Sequence, residues 1–351
     1  MDEQRPLGDY GEDFWFKSKK DEREDIQTTL PNKKLRKKYI QNWSAYNFSK
    51  CHEKIFFMKI LCSIIDSLNI EYEYAGNGRP SVPMQDKIKS CLIKVYSKSA
   101  SRNIISDLKL FQGLGYLKYA PSFRLIDYFM ESEKLTHHLS ELIRLTAEPL
   151  KQLESHVSID STGFSTFNRK NWIDIRFDKL FNKLKKDYKK LHIVTGVKTN
   201  VVISAKVTKG TANDCPEFED LIKKSVYFDI KEVSGDPAYL SRKNCDIVAS
   251  IRATPFILPK KNTIMKANGS PAWFNMIKFF KEHENEFMKK YHLRSNVEST
   301  FAMLKRNYLP YVKAKSDKGQ ENEVLCKVVC HNIACLITSM FEYGIKIKFI
   351  D

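Results

Sequence analysis

Three acids, at positions 160, 236 and 298, stand in surroundings that do not suit a solvated ion pair. Asp160 closes the apolar run Val157-Ser158-Ile159-Asp160 and is followed by Ser161-Thr162-Gly163. Asp236 follows the short strand predicted at Ile230–Ser234 and Gly235, and precedes Pro237-Ala238-Tyr239. A carboxylate at an apolar strand end, beside small residues that allow close approach, suits a hard divalent cation. Glu298 lies in Tyr291-His-Leu-Arg294-Ser-Asn-Val-Glu298, with Lys305 further along. Read as one helix, Tyr291, Arg294, Glu298 and Lys305 fall within about 60° of one another at 100° per residue. Val297, Phe301 and Leu304 supply an adjacent apolar seam for packing. Alone, the stripe reads equally well as a solvated face, because an Arg294–Glu298 pair at i, i+4 is worth only about 0.3–0.5 kcal/mol. The order Asp, Asp, Glu favours the chemical reading. Three carboxylates can hold two Mg²⁺ ions about 3.5–4 Å apart, an arrangement suited to displacement at phosphorus.

The elements that must position these acids follow from periodicity. Val157–Asp160, His192–Val197 and Val201–Val207 read as sequential strands, the last two around a Lys-Thr-Asn turn. Helix at Cys215–Lys224, strand at Ile230–Ser234, helix at Leu240–Ala249 and strand at Pro255–Leu258 follow. Mostly helical sequence runs from Trp273 to Lys305, and a last helix from Glu321 to Tyr343. Three strands in a row and then alternation predict an α/β fold, a mixed sheet flanked by helices. Upstream the sequence is all-α. Apolar residues from Trp43 to Leu68 predict one long helix, and shorter runs lie at Ile88–Tyr96, Ile104–Phe111 and Phe123–Met130. Ser101 and Ser122 stand where N-caps belong. Short helices joined by turns allow a helix-turn-helix, with Arg102, Lys109, Lys118 and Arg124 available to phosphates; a purely structural helical subdomain fits as well. The organisation is therefore a charged arm over 1–40, a helical region over 41–150, and a sheet domain over 151–351 with a basic insertion at 165–190.

Charge supplies the partner. The 351 residues carry 59 Lys and Arg against 42 Asp and Glu, a net +17. That excess points to a polyanion, with nucleic acid ahead of an acidic membrane surface. It is concentrated at Lys33, Lys34, Arg36, Lys37, Lys38 and in the insertion, where Arg169, Lys170 and Arg176 interleave with Phe164, Phe167, Trp172 and Phe177. Aromatics among cations can stack on bases, or anchor a loop on the core. The acidic N-terminus is not a secretory signal, and the most apolar stretch, Val324–Phe341, is interrupted by Lys327, His331 and Asn332. The eight Cys form no C-x-x-C pair. Cys326, Cys330, His331 and Cys335 could be imagined around zinc, but free Cys is more often a small buried hydrophobe. Asp214, ahead of a helix, reads as a cap.

Together, Asp160-Ser-Thr-Gly, Gly235-Asp236-Pro-Ala-Tyr239 and the Tyr291, Arg294, Glu298, Lys305 signature resemble the DDE transposases of bacterial and archaeal insertion sequences. Lys190-Leu-His192, Thr211-Ala-Asn-Asp214-Cys-Pro and Cys330-His331-Asn332 add to the likeness. The resemblance covers about residues 155–345, and 40–150 more loosely. It implies a ribonuclease-H-like core in which Asp160, Asp236 and Glu298 are catalytic and hold two Mg²⁺ (or Mn²⁺). Tyr291, Arg294 and Lys305 would contact phosphates near the cut. Only 61 residues separate Asp236 from Glu298, so no large insertion domain fits between them. The likeness further implies double-stranded DNA as substrate (terminal inverted repeats and target), a homodimer on DNA, and a prokaryotic, cytoplasmic, nucleoid-associated setting. Two rivals share the fold: a domesticated metal-dependent DNA nuclease, and a DNA-binding regulator without catalysis.

Overall fold

A computed structural model describes residues 42–68, 70, 80–166 and 188–346. All belong to one compact unit, residues 42–351. The helices before the sheet are α1 (Trp43–Cys51), α2 (Glu53–Ser67), α3 (Met84–Tyr96), α4 (Ile104–Gly113), α5 (Phe123–Met130) and α6 (Glu133–Ala147). Then come β1 (His156–Thr166), β2 (Tyr188–Gly196), β3 (Val202–Lys209), α7 (Phe218–Lys223), β4 (Glu232–Gly235), α8 (Arg242–Ser250) and β5 (Thr254–Ile257). The chain closes with α9 (Pro271–Glu282), α10 (Glu284–Tyr291), α11 (Asn296–Tyr308), β6 (Tyr311–Val312) and α12 (Asp317–Tyr343). This is the expected mixed sheet flanked by helices behind an all-α region, the ribonuclease-H-like arrangement.

The sheet runs β3-β2-β1-β4-β5. β2 is antiparallel to β1 and to β3, whereas β4 is parallel to β1 and to β5. Along its second edge β1 meets β4 only as far as Ile159↔Gly235, and β6 takes over at Ser165↔Tyr311. Between those pairings Asp160–Phe164 have a strand on one side only, and α11 with the turn before it packs against β1 there. Gly235 makes the junction possible. A Cβ there would lie 3.1 Å from Ile159 Cγ2, closer than ordinary van der Waals contact.

Helix α12 is the shared core of the unit. It packs on α1, α2, α3 and α6 on one hand and on β3 on the other. It is long and apolar enough to cross a bilayer, but its apolar window is 83% buried inside the molecule. Asn332, fully buried, explains one motif on this helix. Its Oδ1 accepts from Val202 N at 2.8 Å and its Nδ2 donates to Val202 O at 2.8 Å, satisfying an edge-strand residue that has no ladder partner on that side. Nδ2 also approaches Ile143 O and Thr146 Oγ1 of α6. His331 Nε2 meets Asn200 O at 2.9 Å. Cys326, Cys330 and Cys335 are buried free thiols, and Cys330 Sγ faces Leu92 O.

Several local expectations change. The helix expected over 43–68 is broken at His52, which leaves helical geometry as the C-cap of α1 and the N-cap of α2 and stacks on Phe48 at 4.2 Å. Ser122 caps α5, its Oγ accepting from Leu125 N–H, but Ser101 caps nothing and donates to Asp127 Oδ1 at 2.5 Å. Asp160 is inside β1 and not at its end, because pairing with β2 continues to Ser165↔Tyr188.

Candidate active site

Asp160 and Asp236 reach the same point from adjacent parallel strands. β4 ends at Gly235, so Asp236 is the first residue beyond the ladder. Its Oδ1 accepts from Ala238 N at 2.9 Å and caps the 3-10 turn Pro237–Tyr239, which fixes the carboxylate against β1. Asp160 Oδ1 accepts from Ser161 N at 2.8 Å. Its side chain is 19% exposed, against 40% for Asp236 and 65% for Glu298. Burial pushes the Asp160 carboxyl up to about 6; the Ser161 N–H and Arg294 oppose the rise, while Asp236 and Asp214 add to it.

Arg294 gathers the three acids. Its Nη1 lies 3.1 Å from Asp160 Oδ2 and 4.0 Å from Asp236 Oδ2, and its Nη2 lies 3.3 Å from Glu298 Oε1. The route to this convergence differs from a single helical stripe. Tyr291 ends α10, His292–Ser295 form a 3-10 turn, and Glu298 opens the first turn of α11. A carboxylate there is favoured by the positive end of the helix. Tyr291 is buried, with the Arg294 guanidinium 5.8 Å from its ring. Lys305 Nζ donates to Thr162 Oγ1 at 2.7 Å and lies 5.8 Å from the Phe164 ring. Burial holds its ammonium below the ordinary range. Thr162 escaped the sequence reading, although it shares the strand face of Asp160, two residues on.

Among the described residues no three His, Cys, Asp or Glu side chains are close enough to hold one ion. The donor chemistry nevertheless fits a hard divalent cation: three carboxylates already share one positive charge, the Arg294 guanidinium. Asp214 stands at the N-cap of the 3-10 turn Cys215–Glu217, but its side chain makes no cap hydrogen bond. It stands 2.7 Å from Lys190 Nζ and 3.2 Å from His192 Nδ1. Tyr239 is 1% exposed, and its hydroxyl, with Ser161 beside it and Asp214, Asp160 and Asp236 bearing on it, finds no partner in hydrogen-bonding geometry. The space beside Gly163 is taken by the Tyr188 ring, 2.9 Å from where a Cβ would lie. Phe164 is buried core and not an exposed aromatic. Arg169, Lys170 and Arg176 lie outside the described residues.

No curated protein matches the chain. Residues 151–333 match the family described as the transposase DDE domain. The match spans just over half of the sequence and includes β1, β4 and α11 with Asp160, Asp236 and Glu298. The chain belongs to this family of DDE transposases.

Proposed function

We propose that the protein is an insertion-sequence transposase of the Tyr-x2-Arg-x3-Glu-x6-Lys subgroup. It binds terminal inverted repeats, cleaves DNA at the element's ends and joins them to target DNA. The meeting of Asp160, Asp236 and Glu298 around Arg294 carries this reading, because acids from β1, β4 and α11 converge where polyanionic DNA must approach. A non-catalytic DNA binder has no use for three carboxylates there.

Asp160, Asp236 and Glu298 would be the catalytic acids and the ligands of two Mg²⁺ or Mn²⁺ ions. Bound there, the ions would supply positive charge to the attacking and leaving oxygens of an in-line displacement, with water or a 3′-hydroxyl as nucleophile. Arg294 and Lys305 would neutralise phosphate charge beside the cut, and Tyr291 would donate a hydrogen bond. The partner of Lys305, the neutral Thr162 hydroxyl, is one that an anionic phosphate oxygen can replace. Arg169, Lys170 and Arg176 would add salt-sensitive backbone contacts. The helical region, residues 41–150, would contribute end recognition, and two copies would act on paired ends.

The test is incubation of purified protein with Mg²⁺ and duplex DNA carrying the flanks of its own gene, with cut ends and joined products mapped. Joined products are expected. Cleavage without joining would make the protein a nuclease, and binding without cleavage a regulator. Asp236→Asn should abolish cleavage; parental activity in that variant removes Asp236 from the site.

A further inference from the structure

Beneath the acid cluster lies a second polar group built on the same three segments. His156 of β1 and Glu232 of β4 are register partners. Glu232 Oε2 accepts from His156 Nδ1 at 2.7 Å, and Glu232 Oε1 accepts from Lys290 Nζ, at the end of α10, at 2.6 Å. His156 Nε2 meets Ser234 Oγ at 2.6 Å, and Ser234 Oγ is 3.4 Å from Lys290 O, which closes the ring of contacts. Burial holds His156 below its ordinary range, against the pull of Glu232, and both of its ring nitrogens have a polar partner. Phe256 of β5 stacks on the imidazole at 6.2 Å and also packs on Phe287 of α10.

The spacing is the informative feature. His156 precedes Asp160 by four residues, Glu232 precedes Asp236 by four, and Lys290 precedes Arg294 by four. Residues four apart return to the same face on a strand and nearly so on a helix. The chain thus places two rungs across β1, β4 and the α10–α11 segment. The lower holds Lys290 on Glu232, and the upper holds Arg294 on Asp160. Four residues advance a strand by about 13 Å and an α-helix by about 6 Å. The 3-10 turn at His292–Ser295 and the long Arg294 side chain reduce that mismatch. A Ser–His–Glu chain also resembles the nucleophile relay of hydrolases, but Ser234 is 0% exposed and no substrate can reach it.

We propose that the lower rung is a positioning device: Glu232, through His156 and Lys290, sets where the α10–α11 segment meets β1 and β4, and so the spacing of the three acids. The inference rests on the catalytic reading of Asp160, Asp236 and Glu298. Arg294 and Glu298 belong to one short turn and helix start; four residues before Arg294, Lys290 ties this segment to Glu232 of β4, and Glu232 in turn bonds His156 of β1.

The experiment uses full-length Glu232→Gln and Lys290→Met, the double variant, and Glu219→Gln as a control for a surface ion pair on α7. Two readouts are compared. By hydrogen exchange, Glu232→Gln should exchange faster in 288–298 while 218–223 stays as in the parent, and circular dichroism should show the fold intact. By Mn²⁺ titration followed with electron paramagnetic resonance, Kd should rise about 10–100-fold, the range for partners that orient metal-binding groups. Cleavage should recover largely at saturating Mn²⁺, a KM effect that a general loss of folded protein would not give. Lys290→Met should reproduce both changes, and the double variant should be no worse than Glu232→Gln. Parental exchange in 288–298, or parental Mn²⁺ affinity in a parent that binds Mn²⁺, overturns the inference. A parent that binds no Mn²⁺ and cuts no DNA would sink the catalytic reading instead, and the exchange result would still decide the rung.

Discussion

The two rungs across β1, β4 and the α10–α11 segment use similar side chains to opposite ends. In the lower one each polar group has a partner within hydrogen-bonding distance, and the one acid stands between one cation and the imidazole. In the upper one three acids share one guanidinium, the most buried of them is pushed up to about 6, and the Tyr239 hydroxyl nearby has no partner. Buried polar groups are normally satisfied, and clusters that are not satisfied are the usual mark of a site. The lower rung is built for order. The upper is built at the expense of stability, with more negative charge than its surroundings neutralise.

The sharpest break in this comparison comes from Asp160→Asn. Loss of a principal charge-holding group should lower the cleavage rate by about 10²–10³-fold. A variant that keeps a tenth of parental cleavage would make Asp160 no more important than its lower counterpart, His156.

The same substitution should have the opposite effect on stability. The folded Asp160 carboxyl is raised from 3.8 to about 6. The stability tied to its proton is complete below its unfolded value and is lost as pH rises through about 6. Asn has no proton to lose, so the variant should gain on the parent between about pH 4 and 6 and hold the full advantage above. A gain of about 1–3 kcal/mol is expected, from roughly 1.4 kcal/mol per unit. Chemical denaturation in chelator at pH 4.5 and 7.5 measures it; an advantage of equal size at both values would mean that burial of charge is not the cause. Glu232→Gln, in contrast, should lose stability at neutral pH, because it removes the charge from a fully paired group.

The smallest effect sharpens the contrast at one atom. Tyr239→Phe removes only the unpartnered hydroxyl and should stabilise the protein by about 1 kcal/mol. A loss of stability on urea denaturation would reveal a partner for that oxygen and make the upper rung as well satisfied as the lower.

Much of the site was legible in the sequence because its signals are local. Asp236 stands at a strand end marked by Gly235 and Pro237, and Arg294 and Glu298 are an i, i+4 pair wherever they fall on helix. What misled was the assumption of one continuous element. Tyr291, Arg294, Glu298 and Lys305 do not ride one helix, since a 3-10 turn intervenes, and Asp160 is not at a strand end, since β2 prolongs β1. Hydrophobic period cannot register either fact: a four-residue 3-10 turn is too short to set a period of its own, and a strand's length depends on what pairs with it.

The sequence by itself determined the α/β order and the +17 charge, and it singled out Asp160, Asp236 and Glu298 as candidate acids. These depend on residue type and short spacing, which the chain carries wherever it folds. Only the tertiary structure decided that the acids meet on Arg294, that Asp214 pairs with Lys190 in place of a cap, and that His156, Glu232 and Lys290 form a rung beneath them. Each of those contacts joins residues from separate segments. Sequence fixes no distance between such segments until the sheet register and the packing of α10 and α11 bring them together.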